Sequence, residues 1–429
     1  MRIIKFVAGV SAMVLASTAL AAPVYIHAGR LMAVPGQAVR GPSTIVVDGG
    51  RIMSVQDGLL APPAGTMVID LSRQTVLPGL IDSHVHLASD RGGEAGLLSF
   101  VREEPQMNAL EAQMNGMKTL RAGFTTVRNL GDGGATLALR EAIKRGWVQG
   151  PRIVDAASSI STTGGHMDGR GGLNDDLVAH LPSPENLCDG VDACRKVVRR
   201  QIDRGADVIK FATTGGVNSG TGLATRMYED EARALVETAH SYGRKVAVHA
   251  HGADGIKLAL RAGADSIEHG TVMDDEIIRT MKKQGTYYVP TLSTVNGYLE
   301  RLAANPDAYA PDVKKQIDWR IGITGQSLLK AAPAGVKIAF GTDAGVSKHG
   351  RNADEFELMA KYGMSPVEAI KAATVNAADL IGLASEIGTI ETGKSADIIA
   401  VTGDPLTDVR VLKTVEFVMA RGTIVSTRD

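Results

Sequence analysis

A chain of 429 residues, 44% hydrophobic but only 4% aromatic, with 49 glycines, reads as an α/β enzyme with a large core, not as a disordered or fibrous protein. Its formal net charge is −1 and it has no long basic run, which excludes a protein that tracks a nucleic-acid backbone.

The chain begins MRIIKFVAGVSAMVLASTALAA, with Arg2 and Lys5 ahead of an apolar run that ends in Ala19-Leu20-Ala21. A charged head, an apolar stretch and small residues at its exit form the pattern of a secretory signal, cleaved after Ala21 or Ala22. The run is short for a membrane span, and no second stretch long enough to cross a bilayer follows. Residues 1–22 are therefore expected to be a signal, and the mature chain to be periplasmic or secreted.

Behind the signal, VYIHAGRLM, STIVVDGGRIMSV and TMVIDLSRQTVLPGL read as short strands, with Asp48-Gly49-Gly50 marking a hairpin. The next part of the chain changes style. Eight strand-like runs, LIDSHVHL, FTTVRNL, RIVDAAS, DVIKFAT, KVAVHAHG, DSIEHGT, YYVPTL and KIAFGTDAG, alternate with helical patterns. In EDEARALVETAHSYG, Ala232, Leu235, Val236 and Ala239 share one helical face. DGIKLALRAG and DDEIIRTMKKQG repeat the pattern, each closed by a glycine. Alternating strands and helices imply a parallel sheet, and eight units a (β/α)8 TIM-like barrel over residues 79–384.

SPVEAIKAATVNAADLIGL then leads, as a helix, into β-rich GTIETGKSADIIAVTGDPL and VEFVMARGTIVS. Residues 23–78 and 385–429 are expected to build one small β-sandwich domain from both chain ends. Cys188 and Cys194 lie six positions apart. In an exported protein they are either a local disulfide or two buried thiols, and the spacing leaves both open.

Such a barrel takes its catalytic groups from the C-terminal ends of different strands. Here His84 and His86 end the first run, Lys210 sits in the fourth, His249 and His251 end the fifth, His269 the sixth and Asp343 the eighth. Five of the ten histidines fall at these ends, which scattered core histidines would not do. Residues two apart on a strand share a face, so His84 and His86 aim at one point. Neutral imidazole suits Zn²⁺ and related divalent ions. Asp343, flanked by glycines, has two readings: a turn or N-cap aspartate, or a carboxylate that accepts the proton of a metal-bound water. Lys210, in the middle of an apolar run, has three readings: a Schiff-base amine, a cation facing an anionic substrate, or a modified lysine acting as an anionic ligand. The histidines favour the third, since two nearby dications need a negative bridging group.

LPGLIDSHVHL, VIKFATTGGVNSG, KVAVHAHG, SIEHGT and FGTDAG, in that order along nearly the whole mature chain, resemble the amidohydrolase superfamily. The resemblance implies a barrel holding two divalent metal ions, commonly zinc. His84, His86 and Asp343 would bind one ion and His249 and His269 the other, with Lys210, N6-carboxylated, bridging both. His251 faces the same way as His249 and is left as an outer or substrate contact. Asp343 would take a proton from the attacking water and pass it to the leaving amine.

The KxxxxGG pattern from Lys210 to Gly216 and the later YYVPTL resemble the branch with metal-dependent carboxypeptidase-like, Xaa-Pro dipeptidase-like and ochratoxin-hydrolysing enzymes. That implies cleavage of N-acyl amino acids or dipeptides with a free carboxylate, extending to ochratoxin A, split into ochratoxin α and phenylalanine. His166, Tyr228 and His251 are candidate carboxylate contacts, with Arg226 beside them, while Asn218–Gly220 and Ser347–Gly350 are candidate pocket walls. His166 has an ordinary alternative as a loop cap, and Tyr228 as a helix-entry packing residue. Competing readings of the whole chain are a cyclic amidase of the imidazolonepropionase or hydantoinase kind, a Schiff-base aldolase, and a binding protein that has kept the barrel. The expected partners are a small-molecule amide or dipeptide and further copies of the chain as a homo-oligomer, with no nucleic acid and no membrane span after signal removal.

Overall fold

In the computed structural model, residues 23–181, 184–218 and 221–427 are described; the expected signal, residues 1–22, lies outside them. The N-terminal part forms β1 (Val24–Leu31), β2 (Ser43–Asp48), β3 (Arg51–Asp57) and β4 (Met67–Pro78). Then come β5 (Leu80–Val85), β6 (Phe124–Asn129), β7 (Arg152–Asp155), β8 (Val208–Ala212), β9 (Lys245–Ala250), β10 (Ser266–His269) and β11 (Tyr287–Val289). The C-terminal part adds β12 (Ile398–Val401), β13 (Val415–Ala420) and β14 (Thr423–Val425).

Both chain ends share one β-sandwich-like sheet of seven strands, in the order β14-β13-β12-β4-β1-β2-β3. The seam is β4 against β12, antiparallel, with Pro78 opposite Ile398. Alternating residues of both ends, among them Ile26, Ile45, Val76, Ile398 and Met419, pack into one core, each large side chain contributing about 1.5–3 kcal/mol by leaving water. The β2–β3 hairpin turns at Gly49 (φ 54°) and Gly50 (φ 79°). Two successive left-handed residues make the tight turn that matches strand twist, which is why the Asp-Gly-Gly signal is local and strong.

The middle of the chain is mixed α/β, of the TIM-barrel type. β5, β6 and β7 form one parallel sheet and β8 to β11 another. Backbone bonds join them at both sides. Asp207 N–H donates to Asp155 O (2.7 Å) and Ile160 N–H to Lys210 O (2.8 Å) at one junction; Tyr288 N–H donates to Lys337 O (2.8 Å) and Ser83 N–H to Phe340 O (2.8 Å) at the other. The helix Glu229–Ser241 buries Ala232, Leu235, Val236 and Ala239, as its periodicity predicts. The run KIAFGTDAG differs from expectation. It makes only isolated bridges, Tyr288 with Ile338, Val85 with Ala344 and Ala344 with Ser347, and no regular strand. The buried Asp82 carboxylate accepts from Thr342 N–H (3.1 Å) and Thr342 Oγ1–H (2.6 Å), and Asp343 takes a left-handed φ of 56°, so side-chain bonds replace the ladder just where the chain must turn.

Cys188 and Cys194 are bonded, with Cα atoms 4.8 Å apart and both residues buried. Among the described residues no helix is long and apolar enough to cross a membrane.

Candidate metal centre

The inward faces of the parallel strands meet at their C-terminal ends. On β5, Asp82 and His84 share the inner face by strand alternation and His86 follows just past the end. β8 brings Lys210, β9 brings His249, and β10 ends in His269. Alternation from Glu268 would turn His269 away. A φ of 69° at His269 re-aims it, so that both Glu268 and His269 reach the site; Thr291 (46°) and Asp343 (56°) are also left-handed. Such backbone costs about 1–3 kcal/mol per residue and clusters where function requires a direction.

The polar atoms are close together. Lys210 Nζ is 3.3 Å from His84 Nε2, and Asp343 Oδ1 is 3.5 Å from His84 Nε2 and 3.4 Å from His86 Nε2. Ligand atoms of His84, His269 and Asp343 lie within 4.8 Å of one another, as do those of His249, His251 and His269. These two buried groups can each hold a metal ion, and His269 belongs to both. His251 stands among the atoms of one of these groups.

Each ring is held by its other nitrogen. Nδ1 of His84 bonds Glu268 (2.8 Å), that of His86 bonds the Gly131 carbonyl (2.7 Å), and those of His251 and His269 bond Thr271 and Thr291 (2.7 Å each). These leave Nε2 for the centre. His249 is reversed: its Nε2 bonds the Gly215 carbonyl at 3.1 Å, leaving Nδ1. Glu268 is itself held by Arg128 (2.8 Å) and Ser266 (2.5 Å), and all three are buried.

Burial disfavours charge on every imidazole here. With the Lys210 charge adding to the effect, it lowers His86 to about 4 and His166 to about 3. His84, His249, His251 and His269 are held well below the usual range, chiefly by the same burial. The rings are thus neutral, the form that donates a lone pair to a metal. Burial also lowers Lys210 to about 8, against the pull of the Glu268 and Asp343 carboxylates, and raises Asp343 to about 7, against Lys210.

A cavity of about 300 Å³ opens above this cluster. His166 lines it, its ring 4.3 Å from that of His249, as do His251 and Asn218; Ser219 and Gly220 lie outside the described residues. Ser347–Gly350 supports the wall from behind, through a bond between His349 Nε2 and His86 O (3.0 Å). Tyr228 is not brought in. It is 77% exposed at the N-cap of helix Glu229–Ser241, where its backbone N–H bonds Glu231 and the entry turn directs the ring to solvent. Arg226 is exposed as well, its guanidinium on the Thr221 carbonyl.

Sequence reasoning missed Tyr298 and Arg320, which reach the cavity from helices Thr294–Ala304 and Pro311–Ile323. Arg320 is 2% exposed and donates to Thr324 Oγ1 (2.8 Å) and the Thr291 carbonyl (3.4 Å). Among the described residues no carboxylate pairs with it. The only sequence signal was an arginine at an otherwise buried helix position.

Comparison with known proteins places these features in context. The amidohydrolase family model matches residues 75–425. Ochratoxinase from Aspergillus niger is 30% identical over 419 residues, 94% of this chain and 85% of that protein. Its crystal structure has a TM-score of 0.82, with 94% and 95% of the two chains covered. A Xaa-Pro dipeptidase with methionine bound in its active site is 39% identical, with a TM-score of 0.89 and coverage of 94% and 99%. A prolidase complexed with N-methylphosphonate-L-proline is 32% identical, with a TM-score of 0.84 and the same coverage.

Proposed function

We propose, from the premise that this chain belongs to the amidohydrolase family and is a hydrolase of amide bonds, that its substrates are N-acyl amino acids and dipeptides with a free carboxylate beside the scissile bond. One observation carries this reading: the buried Arg320 guanidinium at the cavity wall, which no carboxylate among the described residues pairs. A buried cation needs an anion, and a planar guanidinium matches a carboxylate. His166 and His251 are within the same cavity to add hydrogen bonds. Similarity to ochratoxinase, to a Xaa-Pro dipeptidase solved with methionine in its active site and to a prolidase supports the same substrate class, ochratoxin A included.

The donor set suits a pair of divalent ions, zinc by preference: neutral imidazoles tethered through their second nitrogen, one carboxylate and one amine of lowered basicity. His84, His86 and Asp343 would hold one ion, His249 and His269 the other, and Lys210, as its carbamate, would bridge both. Bound there, the ions supply Lewis acidity and water activation. Asp343, at the cavity floor, accepts the proton of the attacking water and hands it to the leaving nitrogen. Arg320 fixes the carboxylate end, so the scissile bond sits between it and Asp343. Met167, Val217 and Tyr298 narrow the cavity and limit water.

The same reading takes Lys337–Gly345 as the eighth strand position of a (β/α)8 barrel over residues 79–384, supported by its bridges to β5 and β11. Residues 23–78 and 385–429 are then the second domain, supported by the β4–β12 seam. It also includes export through residues 1–22, and a homo-oligomer, supported by the exposed row Met107, Leu110 and Met114 on one helix. The deciding experiment is a hydrolysis screen of N-acyl amino acids, dipeptides, ochratoxin A and a lactam, with metal content measured on the same sample. Turnover of the carboxylate substrates is expected; turnover of the lactam alone would overturn the reading.

A further inference from the structure

The opposite mouth of the barrel holds a second cavity, of about 450 Å³, where β7, β8 and β9 begin. It lies at the other end of the strands from the histidine cluster. Five cationic side chains line it, Arg128, Arg140, Arg152, Arg244 and Lys245, against one carboxylate, Asp207.

Their pairing is incomplete. Arg128 is neutralised by Glu268 at 2.8 Å and Arg140 by Asp207. Arg152 reaches Asp397 only at 3.5 Å. Lys245 Nζ donates to the Asp379 carbonyl oxygen (2.8 Å), not to a carboxylate. Among the described residues Arg244 has no ion-pair partner, and the Nε atoms of Arg152 and Arg244 are buried without a hydrogen-bond partner. Arg152, Arg244 and Lys245 thus bring positive charge to one cavity with no carboxylate closer than 3.5 Å to any of them among the described residues, a charge that an entering anion would neutralise. Two guanidinium planes and an ammonium around one space fit a multivalent oxyanion.

We propose that this cavity is an anion-binding site for a small multivalent oxyanion, a phosphate or a polycarboxylate, held chiefly by Arg152, Arg244 and Lys245. It is separate from the amide-cleaving centre and does not depend on the substrate assigned to that centre.

The test titrates the metal-loaded full chain, by calorimetry at constant ionic strength, with inorganic phosphate and separately with citrate, for the wild type and for Arg244→Gln. The expected result is saturable binding of at least one anion, weakened about tenfold by Arg244→Gln, the loss of one charge-assisted contact. Turnover of the best amide substrate stays unchanged in the variant. The tighter of the two probes identifies phosphate or carboxylate as the ligand chemistry. Because phosphate can also reach the metal centre, equal binding to both proteins overturns the proposal, as does no binding of either anion. A thermal midpoint for Arg244→Gln equal to wild type without anion verifies the fold. If that variant does not fold, Lys245→Gln replaces it under the same criteria.

Discussion

Glu268→Gln isolates how a buried carboxylate prepares one ring of the centre. The carboxylate is fully buried and satisfies three donors: His84 Nδ1–H through Oε2 at 2.8 Å, and Arg128 Nη2–H (2.8 Å) and Ser266 Oγ–H (2.5 Å) through Oε1. A glutamine has one acceptor oxygen and one donor NH₂. If the oxygen keeps Arg128 and Ser266, the NH₂ meets His84 Nδ1, and the imidazole proton must move to Nε2. That atom, 3.3 Å from Lys210 Nζ and 3.5 Å from Asp343 Oδ1, then presents a proton where a metal needs a lone pair. Loss of such an outer partner costs about 10–100-fold in metal affinity, or about 1.4–2.7 kcal/mol. Arg128, 1% exposed, also loses its counter-charge, and a hydrogen bond to a charged group contributes about 1.5–3 kcal/mol. Metal retained against graded chelator should therefore fall by one to two decades in the variant, on the order of the same loss. Urea unfolding of the metal-free protein should show a loss of about 2 kcal/mol. Adding Arg128→Met should recover the stability but not the affinity, since only the metal effect runs through the His84 tautomer. Wild-type metal retention in Glu268→Gln would refute the tautomer argument.

Other substitutions probe the remaining parts. Lys210→Ala should lose metal and activity together, and short carboxylic acids should restore both; metal that stays bound without the lysine would sink the bridging role. Asp343→Asn should lower kcat by about 100-fold or more, the typical weight of a positioned proton-transfer group, and undiminished turnover would remove it from that role. Arg320→Met should raise KM for N-acyl amino acids by about 30-fold or more, the cost of unpairing a buried charge, with little change for amides whose carboxylate is blocked. Equal effects on both substrates reject the carboxylate contact, and His166→Ala run in parallel shows whether the imidazole shares it. Cys188→Ser opens a short covalent loop and should lower unfolding stability by about 2 kcal/mol by the chain-entropy estimate, read as a shift in the urea midpoint; no shift would mean that the disulfide is redundant with packing.

Much of the architecture is local enough to be legible in the chain. Glycines at both positions of the β2–β3 turn, four apolar residues on one face of Glu229–Ser241, and two histidines two apart at the end of β5 are each decided by neighbours in sequence. The position of polar residues at the ends of successive strand runs followed from the same periodicities, because side-chain direction has a period of 2.0 in a strand and 3.6 in a helix. The pairing of the cysteines, by contrast, was left open by their spacing and decided by a Cα separation of 4.8 Å.

Tertiary structure alone decided the rest. Tyr228 and Arg320 look alike in the sequence, polar side chains on or beside helices without a motif. Packing turns the first to solvent and seats the second at the cavity wall, 110 positions from Lys210 along the chain. GTDAG reads as a strand by composition, yet Asp82 captures Thr342 from 260 positions away. Glu268 lies next to His269, but its work is done on His84, 184 positions distant. Periodicity determines which way a side chain points from its own backbone. Which groups it then meets depends on contacts between segments far apart in the chain, and these exist only once the strands have packed together.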